Sequence, residues 1–106
     1  MVMSDEIITI RDTIVGAVPV EKIFLFGSYA NGIPNDDSDY DIYVVIPDGN
    51  MRPIEAIQCI YRSMRGIKRK PMDVLAGTVE TFNRRTKQLT LEHTIAEEGV
   101  VIYSKP

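Results

Sequence analysis

Two stretches of the chain repeat apolar residues at the three- and four-residue spacing of a helix. The first covers residues 5 to 17, where Ser4 is a suitable N-cap. Its predicted buried face consists of Ile7, Ile10, Ile14 and Val18. The second covers residues 52 to 65, and its predicted buried face consists of Ile54, Ile57, Tyr61 and Met64. Residues 78 to 98 also follow a helical pattern, with a break expected near Thr90.

Four shorter apolar runs have the length and composition of strands. They cover residues 23–26, 39–46, 72–76 and 100–103. Between the first two runs, Gly27 to Ser38 predicts a short helical turn followed by a loop, because this stretch contains Asn31-Gly32, Pro34 and Asn35-Asp36-Asp37. The order of the elements predicts an α/β fold, a small mixed β-sheet with helices packed against it.

Composition limits the classes of protein to which the chain can belong, but it does not indicate a function. A length of 106 residues suits one domain over residues 1–106. The net charge of −3 gives no general attraction to nucleic acid, so direct nucleic-acid binding is not expected. Cys59 is the only cysteine, which excludes an internal disulfide and suits a cytoplasmic location. We expect neither a signal peptide nor a membrane span, because no apolar run is long enough.

Two aspartates at the start of the second strand carry the first chemical signal. Side chains alternate along a strand, so Asp39 and Asp41 point to the same side. Neighbouring carboxylates repel each other, and a cation bound between them offsets this repulsion. Hard oxygen ligands suit Mg²⁺ or Mn²⁺. Tyr43, two residues further, either borders this site or packs within the sheet.

A glycine and a serine at the end of the first strand carry the second signal. Gly27 and Ser28 leave a buried strand and begin a helical turn, which presents backbone N–H groups and a hydroxyl to an anion such as phosphate. Each signal is common by itself. Together, with ten residues between Ser28 and Asp39, they indicate a site for a metal ion and a nucleoside triphosphate.

The segment from Gly27-Ser28 to Asp39-x-Asp41 resembles the signature of the DNA polymerase beta-like nucleotidyltransferase superfamily. The short length and the Gly-Ser-x-Ala-x-Gly form are similar to its minimal branch (MNT), the antitoxin of HEPN/MNT toxin–antitoxin pairs. The resemblance implies the polymerase beta-like fold, two Mg²⁺ ions and ATP as substrate. It also implies a third carboxylate, and Asp73 occupies the matching position. By this resemblance all three aspartates are catalytic metal ligands, and Asp73 also helps to activate the acceptor hydroxyl.

One feature departs from that pattern. Many relatives carry basic residues directly after Gly-Ser, whereas this chain has Tyr29 and Asn31. Positive charge for the triphosphate must then come from elsewhere, and Lys68, Arg69 and Lys70 are the candidates.

The resemblance implies a nucleotidyltransferase that transfers AMP to a tyrosine hydroxyl of a cognate HEPN-type ribonuclease toxin, with which it forms a hetero-oligomer. Two alternatives remain open. One is a nucleotidyltransferase that modifies a small molecule, although such enzymes carry an added helical domain. The other is an antitoxin that neutralises its partner by binding alone.

Overall fold

A computed structural model of the chain describes residues 3–31 and 38–106. The predicted loop residues from Gly32 to Asp37, and the side chain of Asn31, lie outside this description. The elements are α1 (Asp5–Ala17), β1 (Lys22–Phe26), α2 (Ser28–Asn31), β2 (Tyr40–Ile46), α3 (Pro53–Ser63), β3 (Met72–Thr78), α4 (Val79–Arg85), α5 (Leu91–Glu98) and β4 (Val100–Ser104).

The four strands form one mixed sheet in the order β3-β2-β1-β4. Strand β1 is antiparallel to β2 and to β4, whereas β2 and β3 are parallel. Helix α3 makes the crossover that a parallel pair requires. The predicted α/β fold with a small mixed sheet and packed helices is therefore confirmed.

Helix α1 forms as its sequence predicts. The Ser4 side chain caps it by accepting a hydrogen bond of 3.2 Å from the Ile7 backbone N–H. The four residues of its predicted apolar face are all buried, and they pack against one face of the sheet. That face carries alternate residues of β2, which are Tyr40, Ile42, Val44 and Ile46.

The predicted buried face of α3 is partly wrong. Its buried residues are Ala56 and Ile60, followed by Met64 just beyond the helix, whereas Ile54 is 51% exposed. Tyr61 lies at the border of the helix and the edge strand β3. Its hydroxyl donates to the Met72 carbonyl at 3.2 Å and accepts from the Val74 N–H at 3.0 Å. An amphipathic tyrosine at this position satisfies backbone groups that would otherwise face water at the sheet edge.

The third predicted strand and the last predicted helix also differ from the structure. Strand β3 continues through Gly77 to Thr78, two residues beyond its predicted end at residue 76. The helical segment after it is divided into α4 and α5, in agreement with the break expected near Thr90. Thr90 caps α5, because its side chain accepts a hydrogen bond from the His93 N–H at 3.2 Å.

The second face of the sheet is only partly covered. Phe24, Tyr43 and Val45 form a small buried cluster with Phe82 of α4 and Ile95 of α5. The same face continues toward the start of β2 and β3, where side chains become accessible. None of the helices over residues 3–31 and 38–106 has the length and apolar character needed to span a bilayer.

Candidate active site

Asp41 and Asp73 lie side by side on neighbouring parallel strands. They are register partners in the pairing of β2 with β3, so both side chains project from the same face. This is the partly covered face of the sheet. Asp41 is two residues from Tyr43 and so projects from the same face, and the Tyr43 ring contacts Phe82 with centroids 5.2 Å apart. Asp41 is half-buried and Asp73 is exposed. Two segments that are distant in sequence thus place a pair of carboxylates at one accessible edge of the sheet.

Asp39 adds a third negative charge to this edge. It is exposed and directly precedes β2. Partial burial raises the pKa of Asp41 above its ordinary value, and repulsion from Asp73 and then from Asp39 raises it further. The three predicted aspartates are therefore close enough to influence one another electrostatically.

Gly27 lies in close contact with the carboxylate of Asp41. Its predecessor Phe26 pairs with Asp41 across β1 and β2, and Gly27 leaves the strand with a φ of +74°. A Cβ placed on Gly27 would overlap the Asp41 Oδ2 atom. Only glycine meets both the backbone and the space requirement here. Of the two predicted nucleotide-binding residues, Gly27 thus lies against Asp41, and Ser28 follows it as the first residue of α2.

Replacing Gly27 with alanine is expected to damage the site as well as the fold. The left-handed backbone should lower the free energy of unfolding by about 1–2 kcal/mol. The new methyl group should also displace the Asp41 carboxylate and abolish the nucleotidyl transfer that the sequence resemblance implies. Gly49→Ala is the matched control, because Gly49 has a φ of +83° and an added Cβ there would meet nothing within 4 Å. Denaturant unfolding and a transfer assay separate the two effects, and equal activity in both variants would contradict the close-contact argument.

A divalent cation fits the chemistry of these side chains. In the described part of the chain, no three His, Cys, Asp or Glu side chains form a ready-made cage for a metal ion. Mg²⁺ does not need such a cage, since proteins hold it with one or two carboxylates while water and substrate phosphates complete the coordination. A pair of repelling carboxylates at an accessible edge matches this manner of binding. That Asp39, Asp41 and Asp73 bind a metal ion remains a prediction from the sequence.

The basic segment before β3 contacts Tyr29 through Lys70, and the Tyr29 ring packs on Tyr40 on the face of the sheet that α1 covers. Lys70 Nζ lies 2.9 Å from the Tyr29 hydroxyl and 5.6 Å from the centroid of the Tyr29 ring. Lys68 is exposed, and Arg69 donates from Nη1 to the Lys70 carbonyl at 3.1 Å. Of the three predicted sources of positive charge, Lys70 is thus the one that contacts the segment directly after Ser28.

Tyr43 is the centre of a group of contacts behind Asp41 that the sequence does not predict. Tyr43 is buried, and its hydroxyl donates to Glu92 Oε2 at 3.1 Å. Arg85 Nε lies 2.9 Å from Glu92 Oε1. A Cβ on Gly77 would overlap the Tyr43 hydroxyl, so the glycine provides the space for this arrangement. Of the two roles that the sequence leaves open for Tyr43, packing within the sheet is the observed one.

This arrangement is electrostatically consistent. Burial raises the pKa of Tyr43, and the nearby Glu92 carboxylate raises it further, so the phenol stays protonated and donates. Burial by itself would raise the pKa of Glu92, but hydrogen bonds from Arg85 and Tyr43 and the charge of Arg85 lower it overall. The result is an ionised carboxylate that anchors β2 two residues from Asp41.

The chain belongs to the family described as Polymerase beta, Nucleotidyltransferase, which it matches over residues 9–106. No curated protein matches its sequence. Among solved structures it is similar to a protein of Sulfolobus solfataricus classed as a nucleotidyltransferase. That match has a TM-score of 0.63 and 19% identity, and it covers 92% of this chain and 76% of the other.

Two further similar structures are toxin–antitoxin complexes. One contains AMP-PNP and matches with a TM-score of 0.60 and 19% identity, covering 96% of this chain and 75% of the other. The second is a mutant MntA–HpeT complex with two aspartate-to-glutamate substitutions. It matches with a TM-score of 0.61 and 16% identity, covering 92% and 72% of the respective chains. At these identities the likeness establishes the polymerase beta-like nucleotidyltransferase fold, in agreement with the resemblance in the sequence.

Proposed function

We propose that this chain is a Mg²⁺-dependent adenylyltransferase that transfers AMP from ATP to a tyrosine hydroxyl of a partner protein. The observation that carries the proposal is the placement of Asp41 beside Asp73, with Gly27 packed against Asp41. In a nucleotidyltransferase domain, this combines the residue types needed to hold a metal ion and a triphosphate at one edge of the sheet.

Each predicted residue has a role in this reaction. Asp39, Asp41 and Asp73 would hold two Mg²⁺ ions, whose charge would stabilise the attacking oxygen and the leaving pyrophosphate. Gly27 lets the chain turn sharply out of β1 beside Asp41, so that its backbone and the N–H and hydroxyl of Ser28 would bind a phosphate.

The exposed carboxylate of Asp73 is suited to accept a proton from an incoming hydroxyl. The hydroxyl oxygen forms a bond to the α-phosphorus of ATP. The bond between that phosphorus and the oxygen that bridges to the β-phosphate breaks, and pyrophosphate leaves. The proton of the hydroxyl moves to the Asp73 carboxylate and then to solvent.

The acceptor is proposed to be a tyrosine of a cognate HEPN-type ribonuclease toxin in the cytoplasm, bound as a hetero-oligomer. Two of the structures that share the fold are toxin–antitoxin complexes, and one of them holds AMP-PNP, an analogue of ATP. Asp73 lies on an edge strand at an accessible edge of the sheet, which leaves room for a second protein to bring its hydroxyl to the site.

Incubation with α-labelled ATP and Mg²⁺ tests the proposal. We expect label to enter the protein encoded by the neighbouring gene, and to require both Mg²⁺ and that partner. Labelling of a small molecule in place of the protein would favour a small-molecule nucleotidyltransferase. Neutralisation of the partner with no incorporated label would reject the enzymatic proposal in favour of binding alone.

A further inference from the structure

The side of α3 that faces away from the sheet combines exposed apolar and basic side chains. Ile54 is 51% exposed and Tyr61 is 37% exposed, and their seven-residue spacing puts both on the same side of the helix. Tyr61 also lines a shallow groove of about 510 Å³. The other described residues that line it are Ile57, Gln58, Arg62 and Arg65, none of which is acidic. The groove and Ile54 together form the α3 outer face.

The two arginines of the α3 outer face carry charges that no other described residue neutralises. Four of the other arginines in the described part of the chain form ion pairs with acidic side chains, and Arg69 donates to a backbone carbonyl. Arg62 and Arg65 are exposed and have no such partner. Guanidinium groups bind carboxylates in a bidentate manner, so this pair fits an acidic ligand.

The composition of the α3 outer face favours a protein over a nucleic acid. Arginine and tyrosine are enriched where proteins bind one another, and an exposed isoleucine adds apolar area that such an interface can bury. Nucleic acid is held mainly through its phosphates, which make no use of the Ile54 side chain. The net charge of −3 also opposes the approach of a polyanion. An acidic segment of a protein, with an apolar residue in it, matches both parts of the face.

Tyr61 connects the α3 outer face with the candidate active site. Its hydroxyl contacts the Met72 carbonyl and the Val74 N–H, which are the backbone groups on either side of Asp73. Helix α3 covers one face of the sheet and Asp73 projects from the other, but β3 is an edge strand. A protein bound to the α3 outer face therefore meets Asp73 by reaching around a single strand.

We propose that the α3 outer face binds an acidic segment of the protein that brings the acceptor hydroxyl. Arg62 and Arg65 bind carboxylates of that segment, and Ile54 contacts an apolar side chain. Binding there leaves the opposite face of the sheet open to the nucleotide. This inference rests on the proposed function, and it names the surface on which the partner docks.

Titration of the full chain with the protein encoded by the neighbouring gene tests the inference. The double variant Arg62→Glu/Arg65→Glu should weaken binding about tenfold or more, because reversed charges repel an acidic segment. Ile54→Ser should give a smaller loss of about 3- to 10-fold, because less apolar area is buried. Lys105→Glu is the matched control. Its exposed side chain follows β4 at the opposite edge of the sheet, so affinity should stay unchanged.

Thermal melting of each variant verifies that it folds, which is expected because the replaced side chains are exposed. A negative charge at the end of α3 is unfavourable to the helix, so Arg62→Gln/Arg65→Gln supplies the test if charge reversal lowers the melting temperature. This neutral variant should weaken partner binding about 3- to 10-fold and make the remaining affinity less sensitive to salt.

Several results would overturn the inference. One is equal affinity of Arg62→Glu/Arg65→Glu and Lys105→Glu for the partner, and another is no binding of the partner by the wild-type chain. Self-association of the wild-type chain that the double variant abolishes would assign the α3 outer face to a second copy. Binding of a labelled single-stranded RNA that the double variant abolishes would assign it to nucleic acid.

Measurement of AMP transfer separates this inference from the proposed function. Partner binding that depends on Arg62 and Arg65, without incorporation of AMP, would reject adenylyl transfer and leave the docking surface in place. Transfer with the same dependence on partner concentration in the double variant and the wild type would reject the docking surface alone. If both proposals hold, the double variant should need about tenfold more partner for half-maximal transfer, whereas Lys105→Glu should not.

Discussion

Replacing Asp41 with asparagine is expected to abolish nucleotidyl transfer while leaving the protein folded and slightly more resistant to heat. Asparagine has the shape of aspartate, so the contact with Gly27 survives. It lacks the negative charge that a divalent cation requires. Loss of metal-ion electrostatics worth several kcal/mol corresponds to a rate decrease of about a thousandfold or more.

The gain in stability follows from the position of Asp41. Its pKa is raised by partial burial and by repulsion from Asp73 and Asp39, so the folded state binds this proton more tightly than the unfolded state does. The ionised carboxylate therefore destabilises the fold once the pH exceeds that pKa. Asparagine removes this unfavourable charge. A residue that reduces stability where it stands is the pattern expected of a functional site.

Asp12→Asn is the matched control for this experiment. Asp12 lies on α1 with a 65% exposed side chain, and its partner is the neighbouring Arg11. Its replacement should change neither the melting temperature nor the transfer rate appreciably. Parallel thermal melts and transfer assays of the two variants are the measurement. Near-normal activity of Asp41→Asn would show that the metal assignment is wrong.

The parts of the fold that local sequence patterns determine are predictable. Helix α1 has a serine cap and four isoleucine or valine residues at helical spacing, and all four are buried. Strand β1 is a continuous apolar run that ends at a glycine with positive φ. In each case the signal lies within a few consecutive residues, where backbone preference and burial agree.

The errors occur where a residue has contacts on two sides. Periodicity alone assigns Tyr61 and Ile54 to the buried face of α3. A helix over a sheet edge buries a narrow stripe, here Ala56 and Ile60, and lets the flanking apolar residues reach past the edge. Similarly, Gly77 suggests the end of a strand. The glycine is instead required inside β3 because the Tyr43 hydroxyl occupies the space of a side chain.

The candidate site likewise contains residues that the local sequence selects and contacts that only the fold determines. Local spacing, and the resemblance of that spacing to a known signature, is enough to select Asp39, Asp41, Gly27 and Ser28. That Asp73 adjoins Asp41 depends on the register of two parallel strands, which neither strand specifies by itself. The contacts of Tyr43 with Glu92 and of Tyr29 with Lys70 join residues 49 and 41 positions apart. Such contacts leave no local pattern, so only the folded arrangement reveals them.

A catalytic antitoxin and one that acts by binding alone should differ in stoichiometry. A covalent mark persists after the two proteins separate, so one enzyme molecule can inactivate many partner molecules. Inhibition by docking requires continuous occupancy and at least one antitoxin for each toxin site. If the proposed function holds, a sub-stoichiometric amount of this protein, with ATP and Mg²⁺, should inactivate an excess of the proposed partner toxin.

The Asp73→Asn variant separates binding of the partner from its modification. Asp73 is exposed on the edge strand and is assigned to metal binding and proton transfer, so the variant should still bind the partner. It should fail to modify the partner, and any inhibition should require equal or greater amounts of the variant. The exposed Asp12→Asn variant again serves as the control and should act as the wild type does.

Mass spectrometry of the partner supplies the decisive measurement. The wild-type chain should increase the partner's mass in steps of one adenosine monophosphate on a tyrosine, and the amount of modified partner should exceed the amount of enzyme added. With Asp73→Asn the mass should stay unchanged although co-purification persists. Neutralisation by the wild-type chain without any change in mass, and only at equal or greater amounts, would refute catalysis and establish docking as the mode of action.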